Sequence, residues 1–381
     1  MTANDPLAQL LLRLEALAAL PLQQASAMPP DAYTSEDLLA LERDKIFPRQ
    51  WLCVGLAASL PNAGDFLCDT IAGQPVVIIR QADGSLSAFA NVCRHRMMTL
   101  LTGQGNCKRI VCPYHAWAYD RGGRLVSAPY MDQSEGFDRK KVALKPVRCE
   151  TWHGWIYLTL DPDLPPVAEL LTRLEPLVLP YAMADYVPID RKEHVWRTNW
   201  KQLCENFMEG YHLPVAHRAT VGAWFPVEET RFEAENPDPA FTYQFFTKSA
   251  DARVGVAHPD NTRMEGEARR TAILPTVFPS HMYMLAPDHC WYLSLEPVST
   301  GEVRVRYGAA LAPEVLAAST DPEGLKAQTR DLLDQVNEED RIVVEGIFAG
   351  ASSPLAEAGR LSWLERENHE FTGYLVRQLL Q

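Results

Sequence analysis

Along the chain, apolar positions follow first a helical and then a strand-like rhythm. Leu7 to Leu20 is rich in Ala and Leu, interrupted by Gln9, Arg13 and Glu15, which predicts an amphipathic helix. After a loop with Pro29 and Pro30, Ser35 is placed to cap a second helix near Ser35–Arg43, with Leu38 and Leu39 following. From Trp51 to about Leu160 short β-prone runs take over: Pro75–Arg80, Ser87–Val92, Arg109–Cys112 and Gly154–Leu160. Turn signals at Asp83–Gly84 and Gly122–Gly123 separate them, so the stretch reads as a small all-β module built from hairpins. Pro162, Pro165 and Pro166 mark a boundary. Beyond it, helical patterns cover Val167–Leu179, Trp200–Tyr211, Pro322–Gly346 and Leu361–Leu380. Strand patterns cover His194–Thr198, Phe241–Phe246, His281–Leu285, Trp291–Pro297 and Val303–Leu311. Strands followed by long helices predict an α+β domain with helices against an antiparallel sheet.

Composition narrows the class. The 381 residues are 47% hydrophobic and 22% charged, in the range of soluble globular proteins and enough for two domains. A net charge of −13 argues against a nucleic-acid binder, which needs a basic face. No run approaches 18 apolar residues, so no membrane-spanning helix is expected, and no secretory signal is read at the N-terminus. The expected location is the cytoplasm. There, eight scattered cysteines do not suggest a disulfide framework, and any Cys beside a His becomes a candidate metal ligand.

Cys93-Arg-His95 is followed, after sixteen residues, by Cys112-Pro-Tyr-His115. Each half offers one thiolate and one imidazole in a loop at the end of an expected strand. Two such loops can hold a [2Fe–2S] cluster, two Cys on one iron and two His on the other, which is a Rieske centre. A Cys₂His₂ zinc site uses the same ligand types, although zinc fingers group Cys before His rather than mixing them.

A cluster module needs only about 100 residues, so the rest of the chain has another task. In Asn199-Trp-Lys-Gln-Leu-Cys-Glu-Asn-Phe-Met-Glu-Gly-Tyr-His212-Leu-Pro-Val-Ala-His217, a helix would put Glu205, Glu209 and His212 on one face. Pro214 would end or bend that helix and swing His217 towards His212. Two imidazoles and one carboxylate would form a facial triad with open positions. The competing readings are structural histidines on an ordinary helix and, for the acidic run Glu338-Glu-Asp340 to Glu345, a solvated helix face.

Asn91-Val-Cys-Arg-His-Arg96, Cys112-Pro-Tyr-His-Ala-Trp-Ala-Tyr119 and the His212/His217 segment together resemble the Rieske non-haem iron oxygenases, in particular the terminal (alpha) subunits of the aromatic-ring-hydroxylating family. The resemblance runs from about residue 33 to the C-terminus. It departs at Met97 and Ala116, where relatives often carry Gly. It implies an N-terminal helical segment (1–45) on the catalytic domain, an all-β Rieske domain (46–162) and an α+β, helix-grip-like catalytic domain (163–381). It implies Cys93, His95, Cys112 and His115 on the [2Fe–2S] cluster, and His212, His217 and Asp340 on a mononuclear Fe(II), with Glu339 and Glu345 as alternatives to Asp340. Glu209 would bridge an iron His to a Rieske His of the neighbouring subunit in a homotrimer. Most relatives have Asp there, whereas several that act on quaternary ammonium compounds have Glu.

The implied reaction uses O₂ and electrons from NAD(P)H, delivered by a separate flavin or ferredoxin-type reductase, to hydroxylate or dealkylate a small organic molecule. An amine, amide or quaternary ammonium substrate stands level with an aromatic ring. Phe241–Phe246, Met282–Met284, Trp291 and Tyr292 are candidates for the pocket or for plain core. A Rieske electron carrier with a non-catalytic C-terminal domain is the alternative function, and a zinc-stabilised scaffold is a third.

Overall fold

The computed structural model describes residues 5–232 and 238–380. The chain divides into two compact units, residues 47–167 and residues 1–46 with 168–381. The first four residues and the last lie outside the described set.

Among the described residues, the 47–167 unit holds ten strands: β1 (Leu52–Leu56), β2 (Asp65–Ile71), β3 (Gln74–Arg80), β4 (Leu86–Ala90), β5 (Gln104–Asn106), β6 (Ile110–Val111), β7 (Ala118–Tyr119), β8 (Leu125–Ser127), β9 (Pro146–Trp152) and β10 (Trp155–Thr159). Seven form one sheet in the order β1-β10-β9-β4-β3-β2-β5, and β6-β7-β8 form a smaller one. All pairings among these described strands are antiparallel, as a hairpin-built module requires. Val77, Ile79, Phe89, Ile110, Trp117 and Tyr119 pack into a core that includes Cys93 and Cys112. β9 was not among the expected strands, although Val147, Arg148, Cys149 and Glu150 alternate apolar and polar as a half-buried strand does.

The other unit is α+β. Its sheet runs β11 (Val187–Trp196), β12 (Thr230–Arg231), β13 (Phe241–Thr247), β14 (Thr271–Val277), β15 (His281–Leu285), β16 (His289–Ser299) and β17 (Glu302–Leu311) along the chain, in the order β11-β17-β16-β15-β14-β13-β12. The expected strands fall in this sheet, except that the one expected at His194–Thr198 is the end of β11, which starts at Val187 and stops at Trp196. β14 was not anticipated, because Pro275 sits mid-run and argues against a strand. The helices that matter for the site are α1 (Pro6–Ala18), α2 (Glu36–Lys45), α3 (Trp200–Met208), α4 (Leu213–Ala216), α5 (Pro322–Ala351) and α6 (Arg366–Leu380). Ser35 Oγ caps α2 by accepting from the Leu38 N–H at 3.2 Å. Helix α1 presents Leu10, Leu14 and Leu17 as a buried stripe and packs against α6. Val167–Leu179 is not one helix: it breaks into Val167–Leu170 and Glu175–Val178. No described helix is long and apolar enough to cross a membrane.

Helix α3 is held firmly at its start. Asn199 Oδ1 accepts from the Lys201 N–H, and its Nδ2 donates to the carbonyls of Tyr33 and Thr300. Buried Lys201 pairs with buried Glu42 of α2 at 2.6 Å, and Trp200 Nε1 donates to the same carboxylate. A buried charge pair is strongly destabilising to break from one side, by roughly 3–5 kcal/mol, so this anchor fixes where α3 delivers its far end.

Candidate functional site

In the 47–167 unit the two Cys–His segments adopt matching loops, one between β4 and β5 and the other between β6 and β7. In the first, the Cys93 N–H donates to the Met98 carbonyl and the Met97 N–H donates to the Cys93 carbonyl. In the second, the Cys112 N–H donates to the Trp117 carbonyl and the Ala116 N–H to the Cys112 carbonyl. The residue four beyond each Cys is left-handed, with φ of 57° at Met97 and 56° at Ala116. This is the conformation for which Gly is the easy residue. Both Cys are buried and both His are exposed. The two imidazoles lie 4.7 Å apart between ring centroids, and His95 stacks on Trp117 at 4.8 Å. Tyr119 Oη lies 3.4 Å from Cys93 Sγ and accepts from the Arg94 N–H, tying the thiol to its loop. Two thiols at the base and two imidazoles at the rim fit a cluster held by Cys on one iron and His on the other. All eight cysteines are free thiols.

The second constellation corrects one expectation. Helix α3 stops at Met208, so Glu205, Glu209 and His212 do not share a helical face. Glu209 is extended (φ −125°, ψ 147°), and Gly210 follows it, packed so that an added Cβ would lie 3.2 Å from the Phe246 ring. Gly disfavours helix, and the close ring leaves little room for another residue. Pro214 does not end a helix but sits in the first turn of α4, where its missing N–H costs nothing. That single turn carries His217 to within 5.1 Å of His212, ring to ring.

Helix α5 supplies the third member. Leu333, Val336 and Val344 form its buried stripe, and Asp340 falls in that stripe where an apolar residue would be expected. A carboxylate there needs compensation. It has two imidazoles: Asp340 Oδ1 lies 3.0 Å from His217 Nε2 and 3.5 Å from His212 Nε2. One ligand atom from each of the three residues lies within 4.8 Å of the others.

The opposite nitrogen of each imidazole is tied back. His212 Nδ1 lies 2.5 Å from Glu209 Oε1, and Glu209 Oε2 accepts the His212 backbone N–H. His217 Nδ1 lies 2.7 Å from Glu339 Oε2, which also accepts from Thr220 Oγ1 at 2.6 Å. Carboxylates on both Nδ1 atoms orient the rings and turn both Nε2 atoms inward, the usual support for metal-bound His. Glu339 therefore stands behind His217 rather than in the triad. Glu345 is directed elsewhere and accepts from the Arg197 N–H. Glu205 is also outside the triad: half-buried, it accepts from Tyr33 Oη at 2.8 Å.

The electrostatics call for a cation at this point. Burial would lower the His212 pKa, but Asp340 and Glu209 outweigh it and push it up to about 10. Burial likewise opposes ionisation of Asp340, yet His212 and His217 bring its pKa down to about 2. His217 is also raised, by Asp340 and Glu339 against burial. A proton or a divalent metal can fill that role, and two imidazoles with one carboxylate are the donor set of a mononuclear non-haem iron. All three residues line a cavity of about 90 Å³ whose remaining wall includes Val221, Phe225, Phe246, Leu274, Met284 and Trp291. Phe246, Met284 and Trp291 are thus pocket, while Tyr283 and Tyr292, one residue out of phase on their strands, do not line it.

Residues 50–149 match the Rieske [2Fe-2S] domain, and residues 183–381, just over half of the chain, match the family described as "Ring hydroxylating alpha subunit (catalytic domain)". The chain belongs to this family of Rieske oxygenase alpha subunits. It is 35% identical over 198 residues to the carnitine monooxygenase oxygenase subunit of Escherichia coli K12, covering 51% of this chain and 53% of that protein. The alignment therefore spans about half the length of that relative. It is 25% identical over 366 residues to the chloroplastic choline monooxygenase of Arabidopsis thaliana, covering 92% and 82%. Among solved structures it resembles the quaternary ammonium Rieske monooxygenase CntA in complex with L-carnitine, with a TM-score of 0.78, 24% identity and 96% and 98% of the two chains covered. That likeness concerns the fold.

Proposed function

We propose that the chain is the terminal oxygenase component of a Rieske system that hydroxylates a small quaternary ammonium compound, with loss of an N-alkyl group where the hydroxylated carbon is bound to nitrogen. The convergence of His212, His217 and Asp340 on one point, at the wall of a small apolar cavity, carries this reading. Cys93, His95, Cys112 and His115 would hold the [2Fe–2S] cluster, and His212, His217 and Asp340 the mononuclear iron. When bound, the cluster supplies one-electron transfer and the iron supplies activation of O₂.

In the overall reaction one oxygen atom enters a C–H bond and the other leaves as water, using two electrons from NAD(P)H through a separate reductase and two protons. Glu209 holds the proton on His212 Nδ1 and Glu339 the one on His217 Nδ1, which keeps both Nε2 lone pairs directed inward. Phe225, Phe246, Leu274 and Met284 keep bulk water from the reacting C–H bond. Glu209 would also bridge His212 to a Rieske His of the next subunit, in a homotrimer working in the cytoplasm.

The cavity favours the ammonium class over a polycyclic aromatic. Its wall joins aromatic rings to the carboxylates of Asp340 and Glu209, and no Lys or Arg lines it among the described residues. Aromatic faces and carboxylates suit a cation. The test is NADH-dependent O₂ uptake with a Rieske reductase and a panel of small quaternary ammonium compounds, with product aldehyde and amine measured by mass spectrometry. Product that disappears in His217→Ala while the cluster is still reduced supports the proposal. Product that survives in that variant rejects the triad, and oxidation of aromatic hydrocarbons alone rejects the substrate class.

A further inference from the structure

The segment 221–226 borders two cavities. Val221 and Phe225 line the triad cavity, and Phe225 meets Phe246 there edge to face, 5.2 Å between centroids. Ala223, Trp224 and Pro226 line a second cavity, of about 520 Å³. The two differ in charge. No Lys or Arg lines the triad cavity among the described residues. Arg231, Lys248, Arg253 and Arg270 line the second, against Glu229 and Glu267. This local excess of cations runs against a chain whose net charge is −13.

The four cations are not equally committed. Arg231 and Arg270 share Glu267, at 3.8 and 2.8 Å. Lys248 and Arg253 have no ion pair among the described residues. Arg253 is exposed and keeps its water, whereas Lys248 is nine-tenths buried. Its N–H donates to the Arg270 carbonyl and continues the ladder of β13, so its side chain falls on the face of Gln244 and Phe246. Lys248 Nζ lies 4.8 Å from the Phe225 centroid and 5.7 Å from that of Trp224. Gly255, with φ of 74°, lets it approach: a Cβ there would lie 2.8 Å from Nζ. Nζ has no hydrogen-bond acceptor, yet it is not sealed from solvent as Trp291 Nε1 is. Asp288, the carboxylate that acts on it from a distance, is engaged on both oxygens, by His289 Nδ1 at 2.6 Å and by the Gly255 N–H at 2.7 Å. Burial holds the Lys248 pKa below the ordinary lysine value. Aromatic faces attract an ammonium but accept none of its protons, so a largely desolvated ammonium still gains from an anion.

We propose that this second cavity is a binding site for a small organic monocarboxylate, held through Lys248 Nζ and Arg253 with its apolar body on Trp224 and Val254. One buried ammonium without a partner matches one negative charge. Glu229 and Glu267 in the same wall repel a second, which disfavours a phosphate dianion. Two sources carry this chemistry: the acid end of a zwitterionic ammonium substrate, and a separate carboxylate. The site does not depend on what the triad oxidises.

Calorimetric titration of the iron-loaded, full-length protein tests it with butyrate, butyramide and inorganic phosphate. Butyrate is expected to bind with a Kd of about 1 mM or tighter, and butyramide at least about tenfold more weakly, the worth of one charge-assisted hydrogen bond. Lys248→Met is expected to weaken butyrate at least about tenfold, and Arg253→Gln about threefold. His217→Ala is expected to leave butyrate affinity within about twofold, which separates this site from a carboxylate bound at the iron. The ranking of probes on the wild-type protein stands as a test even if a variant fails to fold. Two supporting outcomes distinguish the sources. Butyrate that competes with γ-butyrobetaine identifies the acid end of a substrate as the occupant. Butyrate that binds beside saturating γ-butyrobetaine identifies a separate carboxylate. No butyrate binding up to about 10 mM, or butyramide or phosphate binding as tightly as butyrate, overturns the proposal. So does a folded Lys248→Met protein that keeps butyrate affinity, or a loss of butyrate binding in His217→Ala.

Discussion

Cys93 and Cys112 are buried while His95 and His115 stand exposed at the rim of their loops; His212, His217 and Asp340 are all drawn beneath the surface, each imidazole fixed on its outer nitrogen by a carboxylate. The contrast suits the roles proposed for the two centres. A centre that exchanges electrons with a partner gains from a rim the partner can approach. A centre that oxidises a C–H bond gains from a wall that excludes water and fixes geometry. The difference extends to backbone and charge. The rim loops accept left-handed Met97 and Ala116, whereas the buried triad is organised by Glu209 and Glu339.

Removing the two sites one at a time separates them most sharply. His217→Ala is expected to abolish turnover and leave the cluster's reduced EPR signal intact. Cys112→Ser is expected to abolish both. If His217→Ala also removed the cluster signal, the two centres would not be independent. A smaller effect is expected from the carboxylate behind the triad: Glu339→Gln should lower iron affinity or turnover about 10- to 100-fold with no change in the cluster spectrum. An unchanged iron affinity and rate would return Glu339 to the role of an acid on a solvated helix face.

The sequence separated these two regions unequally, and the reason is chain distance. The four residues proposed to hold the cluster lie within one stretch, Cys93 to His115, so spacing alone exposes the pattern. The triad joins His212 to Asp340 across most of a domain, and only the family resemblance selected Asp340 from its acidic neighbours. Its position in the buried stripe of Leu333, Val336 and Val344 was a legible signal of inward direction. The continuous helix expected through His212 failed because Gly210 and the packing of Phe246 stop it early. Glu339 was read only as an alternative iron ligand, and its place behind His217 was not legible because its partner, His217 Nδ1, lies on another element.

Protonation separates the regions further. Metal-free His212, with its pKa near 10 against an ordinary 6.5, binds a proton at neutral pH that iron must displace. Iron affinity is therefore expected to rise with pH between about 6.5 and 10, by up to about tenfold per unit for each proton released. The stability that this protonated pair gives the metal-free protein runs the other way: the folded pKa is raised, so it is full below about pH 6.5 and is lost as pH rises through about 10. Metal titrations and thermal unfolding across that window check both signs, and a pH-independent iron affinity would contradict them.

The smallest expected effect belongs to the rim. Met97→Gly or Ala116→Gly relieves a left-handed residue and should stabilise the 47–167 unit by up to about 1 kcal/mol, read as a small rise in Tm with the cluster signal unchanged. A fall in Tm would show that these side chains contribute contacts that outweigh the strain.

The proposed function requires two different metal centres in one chain. Iron, zinc and acid-labile sulfide measured in protein purified without oxygen, with EPR after reduction, address this directly. About three irons and about two sulfides per chain with a Rieske signal are predicted. Zinc without sulfide would contradict it.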